Sequence, residues 1–153
     1  MPNLLSVNAP TPRVLTVLTC SAIAGSATDV LTSMIIQRDL VAAVAATTQT
    51  VTAGKKLRVQ SISVTVRNSS AVLQWARIAL RANASGAVVA GSPIVWVGEV
   101  GAPGAVAGQA ATKDVPFPDG VDLPAGAGFG VTNIVATTAA LITVTVTGYE
   151  YVP

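Results

Sequence analysis

Apolar and polar residues alternate over most of this chain with the two-residue period of a half-buried β-strand. The C-terminal segment shows the pattern most clearly, because Ile142, Val144 and Val146 alternate with threonines at 143, 145 and 147. About eight such segments are separated by turn signals rich in Gly, Asn, Asp and Pro, and no long segment has a helical period. The pattern predicts an all-β fold, a single antiparallel β-sandwich of jelly-roll type.

A degenerate repeat divides the chain into comparable parts. The segment Val-Thr-Ala-Gly-Lys-Lys-Leu-Arg-Val at 51–59 returns as Leu-Pro-Ala-Gly-Ala-Gly-Phe-Gly-Val at 123–131. Gly54 and Gly126 can adopt the positive φ that a tight turn needs, and the alternation after each is that of a strand. Each copy therefore predicts a turn that leads into a strand, at equivalent corners of the sandwich.

The alternation after the first copy changes parity. The apolar residues are odd-numbered before residues 60–61 and even-numbered after them: Leu57, Val59, Ile62, Val64 and Val66. One inserted residue at this point, a β-bulge, keeps all five side chains on the core side of the strand.

The N-terminal part gives less regular patterns. Residues 1–12 contain three prolines and no apolar period, which predicts an extended arm, and residues 13–153 are expected to form one domain. A strand is predicted at 13–20, ended by the small residues that follow it. A second strand is predicted at 30–37, with residues 34–36 buried on both faces.

The centre of the chain predicts two further strands and a loop. The strand predicted at 73–82 has an inner face of Ala76, Ile78 and Leu80 and an outer face of Trp75, Arg77 and Arg81. Residues 93–100 predict a short buried strand. The glycines at 98, 101, 104 and 108 predict a loop over 98–108.

The composition indicates a surface that other protein chains cover. Charged residues make up 10% of the 153 residues, against about 25% in an average soluble domain, and the mean hydropathy is +0.62. No window of about 20 residues is free of polar groups, so a membrane-spanning helix is not expected. An oligomer or a component of a larger assembly is therefore favoured, and we expect a homo-oligomer, a trimer rather than a dimer.

Charge is unevenly distributed despite a formal net charge of only +2. Residues 40–98 contain six Lys and Arg and no acid, whereas five acids and only Lys113 follow from Glu99 onward. The basic cluster lacks the stacking aromatic series and the strongly basic total of a nucleic-acid-binding surface, so direct contact with nucleic acid is not expected. Attraction between the two parts in adjacent subunits is the preferred interpretation.

Little in the chain points to catalysis. It has no histidine and one cysteine, which excludes a Ser-His-Asp or Cys-His nucleophile in the usual form, the commonest zinc and iron sites, and an internal disulfide. Two carboxylate pairs remain as candidate acids, Asp119 with Asp122 and Asp114 with Glu150. Asp119 precedes glycine in a standard turn sequence, and two carboxylates are few for calcium. We expect no catalytic residue, cofactor or metal, and no enzymatic activity.

Exposed aromatic and basic side chains are the candidates for binding. Trp75, Trp96, Tyr149 and Tyr151 could form a platform that stacks on a surface glycan, but Tyr and Trp are also enriched at protein interfaces, which is the favoured interpretation. The predicted interface residues are Lys55, Lys56, Arg58, Trp75, Arg77, Arg81, Tyr149 and Tyr151. The arm 1–12 and the loop 98–108 are further contact candidates.

Four segments together carry a family resemblance. The segments 51–54, 57–64, 118–126 and 142–151, the last ending in Thr-Gly-Tyr-Glu-Tyr, resemble the small β-sandwich structural proteins of tailed bacteriophages, namely capsid decoration (cement) and fibre-type proteins. The resemblance implies a non-enzymatic protein of the virion, assembled in the host cytoplasm, which binds the major capsid protein or other virion proteins. A neck, tail or fibre component and a carbohydrate-binding β-sandwich module are the alternatives.

Overall fold

The computed structural model of the chain describes residues 14–24, 30–32, 34–39, 41–42, 45–134 and 140–153, of which only the backbone is described for 14–24, 30, 32 and 42. The extended arm predicted at 1–12 lies outside the described residues. The described part of the chain contains β-strands and no helix, and hence no helix that could span a membrane.

The strands form two antiparallel sheets, which confirms the predicted all-β fold. In chain order the strands are β1 (Val14–Ala24), β2 (Val30–Thr32), β3 (Ile35–Arg38), β4 (Val41–Ala42), β5 (Gln49–Thr50), β6 (Lys56–Asn68), β7 (Gln74–Asn83), β8 (Ile94–Ala102), β9 (Ala110–Leu123), β10 (Gly128–Asn133) and β11 (Ala140–Tyr151). The six-stranded sheet has the order β4-β3-β1-β11-β6-β9. The five-stranded sheet has the order β2-β10-β7-β8, and β5 also pairs with β10.

The two sheets enclose one hydrophobic core. The six-stranded sheet contributes the inner faces of β6 and β11, and the five-stranded sheet contributes those of β7 and β10. The largest completely buried apolar side chains come from both sheets: Met34, Ile36, Leu57, Ile62, Ile78, Leu80, Phe129 and Ile142. The face-to-face packing of half-buried strands explains why the alternation in the sequence has a period of two.

Eight of the strands pair in a nested way. If β3, β4 and β5 are set aside, the first strand pairs with the last (β1 with β11), the second with the seventh (β2 with β10), the third with the sixth (β6 with β9) and the fourth with the fifth (β7 with β8). This is the pairing of one long hairpin that has been rolled up so that its successive parts enter alternate sheets.

Both copies of the sequence repeat form the predicted turn, and each leads into a strand. The φ angles are 75° at Gly54 and 72° at Gly126. Lys55 N–H donates to the Thr52 carbonyl at 3.0 Å, and the equivalent bond in the second copy, from Ala127 to Pro124, is 3.1 Å. A glycine with positive φ at the third position of a turn closed in this way is what a type II turn requires. The first turn leads into β6 and the second leads into β10.

The two turns also bind each other, which the sequence did not predict. Val51 N–H donates to the Ala127 carbonyl at 3.0 Å, and Gly126 N–H donates to the Val51 carbonyl at 3.2 Å. These two bonds continue the pairing of β5 with β10, so the turn that leads into β6 of the six-stranded sheet is attached to the five-stranded sheet at one end of the sandwich.

The β-bulge predicted in β6 is confirmed. On β11, Gly148 pairs with Val59 and Thr147 pairs with Ser61, so Gln60 is the extra residue. The ladder to β9 is interrupted at the same place. All five apolar residues on either side of the bulge are buried, with exposures of 0–1%.

The N-terminal strand boundaries differ from the prediction. β1 continues to Ala24, because its backbone still pairs with β11 beyond an irregularity after Cys20. The predicted strand at 30–37 is two strands, β2 in the five-stranded sheet and β3 in the six-stranded sheet. Ile35 is 43% exposed while Met34 and Ile36 are buried, because β3 covers the core with one face only.

The strand β8 also differs from the prediction. It continues to Ala102, so the predicted loop at 98–108 is limited to the residues after it. It is the last strand of its sheet, and only one of its faces contacts the core. Ile94 and Val97 are therefore 47% and 40% exposed, so the strand predicted to be buried at 93–100 is buried only on its inner face.

The two turns give a stability prediction. We expect Gly54→Ala and Gly126→Ala each to lower the free energy of unfolding by about 1–2 kcal/mol, because a side chain is disfavoured at positive φ. No described atom lies within 4 Å of the Cβ that either substitution adds, so the backbone conformation alone causes the loss. Urea unfolding measures it. Gly101→Ala is the control, since Gly101 lies in extended β8 and its added Cβ has ordinary contacts at 3.8 Å. An equal loss in the control would contradict the explanation.

Candidate functional site

The structure distributes the predicted interface residues over both outer faces of the sandwich. Those on the outer face of the six-stranded sheet, or in the turn before β6, are Lys55, Lys56, Arg58, Tyr149 and Tyr151. Trp75 and Arg77 lie on the outer face of the five-stranded sheet, and Arg81 is buried. The predicted set is therefore two separate surfaces and one interior residue.

Arg58 is the centre of a cluster on the six-stranded sheet. Its neighbours across the ladder are Asp122 on β9 and Tyr149 on β11. Its Nε donates to Asp122 Oδ1 and its Nη2 donates to Asp122 Oδ2, both at 2.7 Å. The Tyr151 hydroxyl donates to Asp122 Oδ2 at 2.8 Å, and the Arg58 guanidinium lies 5.4 Å from the centre of the Tyr151 ring. A bidentate ion pair of this kind is stronger and more directional than a single contact.

The cluster changes the titration of its members. The hydrogen bonds from Arg58 are the main reason why the pKa of Asp122 is lowered, and those same bonds raise the pKa of Arg58. The hydrogen bond to Asp122 raises the pKa of Tyr151. The charged groups of the cluster thus bind one another, so the cluster has less free charge to offer a partner than its sequence suggests.

The aromatic residues do not form one platform for a glycan. The rings of Tyr149 and Tyr151 lie 5.7 Å apart and are tilted by 55°, and Arg58 occupies a face of Tyr151. Trp75 lies on the opposite side of the sandwich. Trp96 is partly buried and packs against the core. Only the two tyrosines are brought together.

The outer face of β7 and β8 carries a second surface, which we call the apolar band. It consists of Trp75, Ile94 and Val97 with the ion pair of Arg77 and Glu99 between them. Trp75 is 46% exposed, although it is one of the largest apolar side chains of the protein. Val72 and Leu73, which precede β7, are exposed by 62% and 63% and extend the apolar surface. Exposed apolar groups that lie together are typical of interaction sites.

The prediction that Arg81 lies at an exposed interface is wrong. Its side chain is 6% exposed, its Nε donates to Thr132 Oγ1 at 3.2 Å, and its Nη1 donates to the Ser92 carbonyl. The ladder between β7 and β8 is irregular at this point, and the segment before β8 contacts the guanidinium. Arg81 therefore fixes the connection between the two strands.

Glu150 has a role in the structure that the sequence did not predict. It is completely buried and accepts three hydrogen bonds: from Arg38 Nη2 at 3.0 Å, from Thr52 N–H at 3.0 Å and from Thr52 Oγ1 at 2.6 Å. Burial alone raises its pKa, but these hydrogen bonds outweigh the burial and lower the pKa overall. The sequence does contain one signal of this burial. Glu150 has an even number, so it lies on the same face of the last strand as the buried Ile142 and Val144. A carboxylate buried there needs a partner.

Neither candidate carboxylate pair has the arrangement of a catalytic pair. Asp114 pairs with Ser63 and Glu150 pairs with Leu57, five ladder positions away, which is about 17 Å along the strand. The two carboxylates also lie on opposite faces of the sheet. Asp122 forms an ion pair with Arg58, whereas Asp119 is exposed in the part of β9 that does not pair with β6. The described residues contain no group of three side chains that could hold a metal ion.

One open cleft lies where β6, β11 and the connection between β8 and β9 meet. Its volume is about 380 Å³, and its lining residues are Arg67, Asn68, Ser69, Ala107, Gly108 and Leu141. The Asn68 side chain donates to the Pro103 carbonyl, and the Asn68 backbone is bonded to Gly108 and Gln109. Asn68 therefore holds the connection in place, and the described lining residues of the cleft include no carboxylate.

Glu150 gives a prediction about stability and pH. We expect Glu150→Gln to lower the free energy of unfolding at pH 7 by about 3 kcal/mol, because the partly buried Arg38 then lacks its countercharge. Since folding lowers the pKa of Glu150, its contribution is complete above the ordinary value of 4.5 and is lost as the pH falls through the folded-state pKa. The variant is therefore expected to have a weaker loss of stability on acidification, which urea unfolding over a pH series measures.

Asp122→Asn is the matched control for that series. Asp122 also pairs with an arginine, but both side chains are about one-third exposed, so the loss is expected to be clearly smaller than that of Glu150→Gln. Equal losses in the two variants would show that burial of Glu150 is not what matters.

The Arg58 cluster gives a spectroscopic prediction. The chain has two tyrosines, so Tyr149→Phe leaves Tyr151 as the only phenol. Its pKa, measured by phenolate absorbance, is expected to lie above the ordinary value of 10.0 and to fall when Asp122→Asn is added. Asp114→Asn on the same outer face is the control and is expected to leave the titration unchanged. If Asp122→Asn left the pKa of Tyr151 unchanged, the result would contradict the hydrogen bond between Tyr151 and Asp122.

The candidate functional surfaces are thus the Arg58 cluster on one outer face and the apolar band on the other. A comparison of the chain with protein-family models gave no match, and a comparison with curated proteins gave none either.

Proposed function

We propose that this protein is a non-enzymatic structural component of a tailed-phage virion, which binds the capsid and stabilises or decorates it through protein–protein contacts. The proposal combines the resemblance of residues 50–152 to phage β-sandwich proteins with the chemistry of the two outer faces. The observation that carries it is the contrast between those faces.

The outer face of the six-stranded sheet is suited to water over its central rows, and its exposed apolar side chains, Ile35 and Leu141, lie apart from each other on β3 and at the start of β11. Its central rows consist of hydroxyl side chains: Thr143, Thr145 and Thr147 on β11 and Ser61, Ser63 and Thr65 on β6. Two hydroxyl pairs bond across the ladder, Ser61 with Thr147 on β11 and Thr65 with Thr112 on β9, the second at 2.8 Å. The Arg58 cluster continues this polar surface toward the end of the sheet.

The outer face of β7 and β8 is suited to a protein partner. Its apolar band contains an exposed Trp and exposed aliphatic side chains, and its one ion pair leaves no net charge. Tryptophan and arginine are the residues that most often carry the binding energy of protein interfaces. A protein that covers a capsid needs one face to bury and one to leave in water, and the sandwich has one of each kind.

The nested pairing of the strands also favours this class. We infer that it is a jelly-roll topology, since a hairpin rolled into two sheets gives two Greek keys. Jelly rolls occur in viral capsid proteins and also in lectins and enzymes, so the topology alone does not determine the function. The face chemistry makes the difference, because the tyrosines of the candidate glycan platform are bound within the Arg58 cluster.

The mechanism in this proposal is buried area and complementarity. A stable contact buries about 800 Å² on each partner, and the symmetry of a capsid repeats the contact many times. A neck, tail or fibre location uses the same kind of contact, so the location is an outcome of the experiment.

Capsid binding tests the proposal. The wild-type chain is expected to co-sediment with capsids built from the capsid protein encoded beside its gene and stripped of decorating protein. Val97→Asp is expected to weaken this binding at least tenfold, because it places a charge in the apolar band. Thr145→Asp is the matched control on the hydroxyl face and is expected to bind as the wild type does.

Two results would overturn the proposal. One is a chain that binds neither capsids nor isolated tails at micromolar concentration. The other is a gene without capsid, portal or tail genes beside it. If the chain bound only to tails, it would still be a virion protein, but its location would be the tail and not the capsid.

A further inference from the structure

We infer that the apolar band is a two-fold interface between two copies of this chain. The inference deepens the proposed function and rests on it for the interpretation of the band as a protein contact. It assigns a specific occupant to that surface, namely the same surface of a second copy, so that the chain binds the virion as a pair and a charge in the band weakens capsid binding by separating the pair.

The arrangement of charge in the band is the first argument. Arg77 on β7 lies directly across the ladder from Glu99 on β8, and their nearest N and O atoms are 3.3 Å apart. Trp75 lies next to this pair on one side and Val97 on the other. The band thus has one cation and one anion side by side within an apolar surface.

A partner of this band has to suit the ion pair when water is removed. Arg77 and Glu99 neutralise each other, but the hydrogen-bonding groups that they do not use on each other lose water on contact. A partner that presents an anion over Arg77 and a cation over Glu99 suits these groups better than an uncharged surface does. A second copy presents this arrangement when the two-fold axis lies in the plane of the contact, runs parallel to the strands and passes midway between the two charges.

The size of the band is the second argument. Trp75, Ile94 and Val97, with Val72 and Leu73 before them, expose on the order of 400 Å² of apolar surface, which is within the range of the largest patch on a monomeric protein. A standard interface buries about 800 Å² on each partner, of which somewhat more than half is apolar. The band supplies an apolar centre of the right size, and the ion pair and the surrounding loops supply a polar rim.

Sedimentation equilibrium of charge-reversed chains tests the inference. The wild-type chain is expected to form a dimer, and Arg77→Glu and Glu99→Arg are each expected to weaken it at least tenfold, since like charges then face each other across the axis. A mixture of the two variants is expected to recover the dimer. One chain then carries two acids in the band and the other carries two bases, so each charge again faces its opposite.

The recovery in the mixture is the decisive result. A variant that lost association through misfolding would not regain it from a partner, and circular dichroism of each variant alone checks the fold. Lys113→Glu, which reverses one charge on β9, is the control and is expected to leave dimerisation unchanged. Trp75→Ala is expected to weaken the dimer, whereas Leu141→Ala, which removes an exposed apolar side chain from the other sheet, is not.

The outcomes separate this inference from the proposed function. A monomeric wild-type chain, or a mixture that does not associate, overturns the two-fold contact whether or not the chain binds capsids. A trimer that none of the band variants weakens also overturns it. A dimer with the expected charge dependence that fails to bind capsids or tails retains the contact and overturns the virion function.

Discussion

The carboxylate of Glu150 holds together segments that are distant in the sequence. It lies on β11, binds Arg38 at the end of β3, and accepts two hydrogen bonds from Thr52 in the first repeated turn. That turn is bonded in its own right to the second turn through Val51 and Ala127. One buried charge therefore fixes the corner at which both sheets meet, and the strands that follow the two turns, β6 and β10, start from this corner.

Several of the chain's few charges bind one another. Three ion pairs between described residues each join an arginine to a carboxylate: Arg38 to Glu150, Arg58 to Asp122 and Arg77 to Glu99. The carboxylate is completely buried in the first pair, about one-third exposed in the second and about half exposed in the third. The three pairs therefore differ in what they contribute to stability. Together they leave a surface with even less free charge than the composition suggests. This explains how a chain with both basic and acidic parts can present a hydroxyl-rich face and an apolar face.

The sequence predicted those parts of the structure that depend on local alternation. The bulge at Gln60 was readable because a change of parity has only one solution that keeps Leu57 and Ile62 on the same face. The sequence did not predict that residues 30–37 divide between two sheets, because a short apolar run is the same in either sheet. The burial of Arg81 was also not predictable from the sequence, since it depends on an irregularity in the β7–β8 ladder and on a hydrogen bond to Ser92 in the segment before β8. Glu150 had a local signal, its inward parity, but its partners could be known only from the fold.

The nested pairing of the strands has a consequence for the order in which the chain can fold. Val14 pairs with Glu150, so β1 and β11 form the centre of the six-stranded sheet from the two ends of the described chain. Contacts of such large sequence separation require closure of almost the whole chain, and proteins dominated by them fold slowly. During synthesis the inner hairpin of β7 and β8 can pair first, whereas the centre of the larger sheet has to wait for the last strand. The apolar band is therefore complete on a ribosome-bound chain before the sandwich behind it is, and premature association through that surface is a hazard that slow release of the C-terminal strand would increase.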